Sequence, residues 1–151
     1  MRKEVDRSEM IRLFEEIRDA FPRLSMQLDQ NPHNVDVNMD IPQQPGLTFD
    51  INLNLQGDEL HLSAGAFWLE WFPCTRPDVV QAYREAVDGL LAGVYRIREH
   101  YRGGRPFKAE LQKPDGGGWQ TIGTWYGLAW PLPRRTVEKV LQNVTYTGSG
   151  G

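Results

Sequence analysis

Seven carboxylates, Asp29, Asp36, Asp40, Asp50, Asp58, Glu59 and Glu70, stand in a stretch from Asp29 to Cys74 that contains no lysine or arginine. The segment has a formal charge of −7 against −3 for the whole chain, and all 17 basic residues lie in its flanks. Carboxylate and amide oxygens at this density suit two kinds of chemistry: coordination of a hard cation, or capture of a basic partner surface. The glycine and ligand spacing of an EF-hand loop are absent, so no metal is expected. Asp36, Asn38 and Asp40 share parity in one run, as do Asp50, Asn52 and Asn54 in the next, so each set falls on one side of a strand. The plain alternative is a solvated outer face that discourages edge pairing. Like charges opposed across strands cost stability, which is the argument for a partner.

The opposite bias occurs later. Arg96, Arg98, His100 and Arg102 share one parity, with Arg105 and Lys108 nearby. Such a face can grip a phosphate or a carboxylate. The patch is short and the chain acidic, which does not suit nucleic acid. The simpler expectation is that this strand pairs with the acidic ones inside a single sheet, so that the two biases complement each other.

Between them lies the densest apolar run, residues 66–73. Alternation places Phe67, Leu69 and Trp71 on one side and Trp68, Glu70 and Phe72 on the other, as in a central strand covered on both faces. Trp68, with Trp125 and Tyr126, can line a ligand pocket or anchor a partner. Core packing is the plain reading of the same residues. Glu70, flanked by tryptophans, has a raised pKa if buried, as acid–base residues often do, or else sits at a rim with an arginine. Cys74 precedes a helix start, where a thiol pKa is lowered, and His61 and His100 are possible bases. A structural cysteine is the commoner use, and His33 beside Pro32 reads as a loop residue. No GxSxG, HExxH, CxxC or P-loop pattern occurs, and Gly116-Gly117-Gly118 reads as a hairpin loop rather than a phosphate cradle. No catalytic residue and no cofactor is assigned.

The elements that position these groups follow from periodicity. Residues 8–21 read as an amphipathic helix, with Ser8 as its cap and Pro22 as its end. Short alternating runs then predict strands near 24–28, 34–41, 47–55, 60–64 and 66–73. Thr75, three residues before Asp78, and Pro77 open a second helix, which Gly93 closes. Strands at 94–102, 106–112 and 119–126 follow, turned at Gly103-Gly104 and at residues 114–118. Val137, Val140 and Leu141 suggest a short C-terminal helix over about 134–143.

The chain of 151 residues has 40% hydrophobic content, enough for one core. The expected fold is α+β: a single domain over 1–146 with a mainly antiparallel sheet of about six strands, two main helices and the short C-terminal helix. Residues 147–151 read as a flexible Gly/Ser tail. No apolar run approaches the ~20 residues that span a bilayer, and a lone cysteine forms no internal disulfide, so a cytoplasmic protein is expected. The order of elements looks like that of small bacterial secretion chaperones and suits immunity-type or adaptor proteins. That similarity is one of topology alone, and no motif residue carries it.

The reading that results is a non-enzymatic protein-binding module. Its Asp/Asn face and neighbouring aromatics, with Asp36, Asn38, Asp40, Asp50, Asn52, Asn54, Trp68, Glu70, Arg96 and Arg98 as site residues, would engage another protein or a second copy. The alternative is a small-ligand binder or enzyme with a pocket between helix and sheet near Glu70, Trp68, His100 and Cys74. That alternative requires at least two such groups to meet within hydrogen-bonding reach.

Overall fold

The computed structural model describes residues 3–128 and 135–144. Two helices and two antiparallel sheets make up the α+β fold expected from the sequence. The proposed tail at 147–151 lies outside the described residues.

Helix α1 (Arg7–Ala20) is followed by β1 (Gln27–Asp29), β2 (Val37–Ile41), β3 (Ile51–Gln56), β4 (Glu59–Ala64) and β5 (Phe67–Trp71), which pair in that order into a five-stranded meander. Helix α2 (Pro77–Leu91) leads to β6 (Arg96–Arg102), β7 (Arg105–Asp115), β8 (Gly118–Tyr126) and β9 (Thr136–Leu141). These form a second sheet in the order β8-β7-β6-β9. Among the described residues the strands thus number nine in two sheets, against about six expected in one.

Periodicity explains most of this. In β2 and β3, Val37, Met39, Ile41, Ile51, Leu53 and Leu55 are buried, and the intervening Asp and Asn residues face away. Met10, Leu13, Phe14 and Ile17 of α1 and Tyr83, Ala86, Val87, Leu90 and Leu91 of α2 cover that apolar side. Each large apolar side chain so buried contributes roughly 1.5–3 kcal/mol. The Tyr83 hydroxyl donates to the His61 carbonyl at 2.8 Å, which ties α2 to β4. Burial holds the Tyr83 pKa well above its ordinary value.

Three local expectations change. Asp6, not Ser8, caps α1: its Oδ1 accepts from the N–H groups of Ser8 at 3.0 Å and Glu9 at 3.3 Å. The helix therefore begins two positions earlier, and the aspartate side chain satisfies orphan donors of its first turn. At α2 the capping position is Arg76, which makes no side-chain cap bond and instead clasps Asp78 at 2.8 Å. The segment expected as a C-terminal helix is strand β9, over its described part. The β-branched Thr136, Val137 and Val140 suit a strand, and β6 offers backbone groups for Thr136–Leu141 to pair with.

The expected central strand is also different. β5 ends the first sheet's hydrogen-bonding order, but its apolar side is not left bare, because the second sheet packs there. A Cβ at Gly123 of β8 would lie 2.5 Å from Leu69 Cδ2, so glycine permits the close approach. A second joint forms at the β4–β5 turn. Gly65 has φ +56°, and buried Glu99 of β6 accepts the Ala66 N–H at 2.6 Å. Asn143, also buried, donates to the carbonyls of Leu91 and Gly46, both at 2.7 Å, and so satisfies a carbonyl at the end of α2.

Candidate functional site

Strand register lays out the outer face of the first sheet as two polar rows. One runs Gln27, Asp40, Asn52, Ser63, Trp68, and the next Asp29, Asn38, Asn54, His61, Glu70. Asn52 Nδ2 lies 2.6 Å from Asp40 Oδ1 and 2.9 Å from Asn38 Oδ1, and Asn38 Nδ2 donates to Asp40 Oδ2 at 3.2 Å. Asn54 donates to Asn52 at 2.9 Å, and Gln56 to Asn54 at 3.0 Å. Every donor in this ladder is a neutral amide, so hydrogen bonding is satisfied while the carboxylate charge remains.

Asp36 and Asp50 lie just outside the strands, and both hold turns. Asp36 Oδ2 accepts the Gly57 N–H and Asp50 Oδ1 the Gln43 N–H, each at 2.6 Å. Above Asp40 and Asn52 the face forms an open concavity of about 600 Å³, bordered by Gln27, Pro42, Asp50 and Ser63 and, among the described residues, by no lysine or arginine.

The arginine-rich strand does not neutralise this face. β6 belongs to the other sheet, so the expected pairing of acidic and basic strands in one sheet is overturned. Its cations are met by residues that sequence reasoning passed over. Arg98 grips Glu138 of β9 through Nη2–Oε1 at 2.6 Å and Nε–Oε2 at 3.1 Å. His100 Nε2 lies 2.6 Å from Glu110 Oε1 of β7, and Thr121 donates to Glu110 Oε2 at 2.7 Å. Arg96 donates to Gln112 at 2.8 Å and stacks over Trp119, while Arg102 lies over Phe107. The Arg98 hydrogen bond lowers the Glu138 pKa. Burial pushes Glu110 up, but Thr121, His100 and Lys108 outweigh it, and the net shift is downward. The turn at Gly103-Gly104 pairs Arg102 with Arg105, and a bulge between His100 and Tyr101 then shifts the register by one residue and brings Arg98 opposite Glu110.

Elsewhere, lysine and arginine ion pairs go to Glu15, Glu16, Asp19, Asp78, Asp88 and Glu110. None of these acids lies between Asp29 and Cys74. Within that segment, among the described residues, His61 Nε2 lies 3.7 Å from Glu59 Oε2, a contact that is an ion pair only when the imidazole is protonated. Arg7 reaches the segment only through the backbone carbonyls of Gln30 and Asp36.

The groups weighed for catalysis do not converge. His61 and Glu70 are opposed on β4 and β5, facing away from the helices, and no hydrogen bond joins them. His100 is engaged on the outer side of the second sheet. Cys74 is buried at the floor of a cleft between α1 and α2, where burial first, then Asp58 and Glu9, raise its pKa. The lowered thiol pKa expected from sequence is therefore reversed, and no helix–sheet pocket gathers Glu70, Trp68, His100 and Cys74. Trp125 packs against the core, and Tyr126 lies near Lys108, so neither joins Trp68. Among the described residues no three His, Cys, Asp or Glu side chains are grouped to hold a metal ion, and no helix is long and apolar enough to cross a membrane.

Compared with known proteins, the chain matches no family model, no curated protein and no solved structure.

Proposed function

We propose that the protein is a non-catalytic binding module whose outer Asp/Asn sheet face receives a basic segment of another protein. One observation carries the reading: Arg98 and His100 of the arginine-rich strand are engaged within their own sheet, and the ion pairs of Arg18, Arg76, Arg84, Arg98 and Lys108 all go to acids outside the 29–74 segment. A face of fixed negative charge with only neutral donors attracts cations and steers their approach. A second copy of the chain is the weaker fit, because Arg98 and His100 of its basic strand are already engaged by Glu138 and Glu110, which leaves Arg96 and Arg102 against neutral groups.

The test is affinity capture from the native cell with the wild-type protein, followed by binding of the recovered partner to an Asp40→Lys variant and to a Lys113→Glu control on β7. Loss of binding in the first, with retention in the second, is expected. Equal binding by both variants and the wild type would overturn the reading, as would recovery of a metabolite in place of a protein.

A further inference from the structure

We propose that Trp68 and Glu70 form an arginine anchor at the β5 end of the acidic face, taking one arginine side chain from an extended segment of the partner. This rests on the reading of the Asp/Asn face as a partner surface, and specifies where and by what chemistry it grips.

Trp68 and Glu70 are two residues apart on one strand and share a face, so their Cα atoms are ~7 Å apart. A guanidinium lying on the indole is then within reach of the carboxylate, and its planar fork suits both contacts better than an ammonium does. The second sheet shows how this chain uses exposed rings: Trp119, Phe107, Tyr126 and Tyr101 have Arg96, Arg102, Lys108 and Lys139 near their faces. Trp68 is 41% exposed and, among the described residues, has no such cation. Its ring contact is with His61, edge-on at 5.1 Å, which fixes the indole from beneath.

Two buried hydrogen-bonding atoms beside the indole lack partners. Glu70 Oε2 has no donor, and His61, only 4% exposed, has no partner at Nε2. The Gln56 amide nitrogen lies 3.4 Å from His61 Nδ1. Glu59 Oε2 lies 3.7 Å from His61 Nε2, beyond hydrogen-bond length. Glu70 Oε2 is buried as well as unpartnered, so a guanidinium resting on the indole meets this carboxylate when its side chain turns outward.

Calorimetric titration of the full chain with capped tetra-arginine and tetra-lysine peptides tests the anchor. Wild type is expected to bind tetra-arginine more tightly. Glu70→Gln and Trp68→Ala should each weaken tetra-arginine by about tenfold and remove the preference over lysine, whereas Trp68→Phe keeps part of it. Asp40→Asn should weaken both peptides alike. If Asp40→Asn weakens binding but Glu70→Gln and Trp68→Ala match wild type, the anchor is wrong and the acidic face stands. If neither peptide binds wild type, the face reading fails and the anchor with it. Circular dichroism of each variant separates lost binding from lost folding.

Discussion

Arg98 and Glu138 meet through two parallel contacts, at 2.6 and 3.1 Å, that bind β9 to β6. The consequence reaches beyond the pair. With Arg98 held by Glu138 and His100 beside Glu110, part of the second sheet's positive charge is answered within that sheet, and the first sheet keeps its carboxylates. Both side chains of the Arg98–Glu138 pair are partly exposed, so its value is in matching charge within one sheet more than in stability.

Glu110 predicts how stability responds to acid. Its folded-state pKa is below the ordinary 4.5, so its contribution is complete above the unfolded value and is lost as pH falls through the folded one. Thermal melts should therefore show a falling Tm as pH drops below about 4.5. Glu110→Gln should have a shallower acid dependence over the same range. An unchanged slope would show that its partners do not stabilise the charged form.

The Gly65 turn separates two costs that usually come together. A Cβ there would meet Leu141 Cδ1 at 2.5 Å and Glu99 Oε2 at 2.7 Å, whereas one at Gly57 would meet nothing within 4 Å. Both glycines have φ near +60°. Gly57→Ala should cost about 1–2 kcal/mol, the conformational term alone. Gly65→Ala should cost a further 1–3 kcal/mol, roughly, from overpacking at the joint between the sheets. Urea denaturation of the two variants gives the difference directly.

Cys74 is expected to be inert in the folded protein. It is 4% exposed, and burial raises its pKa, so thiolate is scarce at neutral pH. A chromogenic disulfide reagent should react slowly in buffer and quickly in denaturant. Fast reaction in the native state would reopen its reading as a nucleophile.

Much of the fold was legible because local chemistry decides it. The buried alternation of Val37-Met39-Ile41 with Ile51-Leu53-Leu55, and turns such as Gly103-Gly104, are written in consecutive residues. The division into two sheets is not, since nothing near Arg98 states which strand lies beside it. Glu110 and Glu138 were missed for that reason: each is a single acid in a mixed run, and its role appears only once the register is known. Asp36 and Asp50 had the right parity for the face, but their carboxylates serve turns. β9 looked helical because its valines and leucine are spaced three or four apart, while pairing to β6 decides the outcome.

The central claim is that the amide–carboxylate ladder of the first sheet is the surface that accepts basic groups. Its most direct test is an NMR titration of isotope-labelled protein with a capped tetra-arginine peptide, following the side-chain amides of Asn38, Asn52 and Asn54 beside those of Gln112 and Gln142. The ladder amides should shift in a saturable, salt-sensitive manner while the other two stay still. Shifts confined to Gln112 and its neighbours on the second sheet, or no shift in the ladder at peptide saturation, would contradict the account.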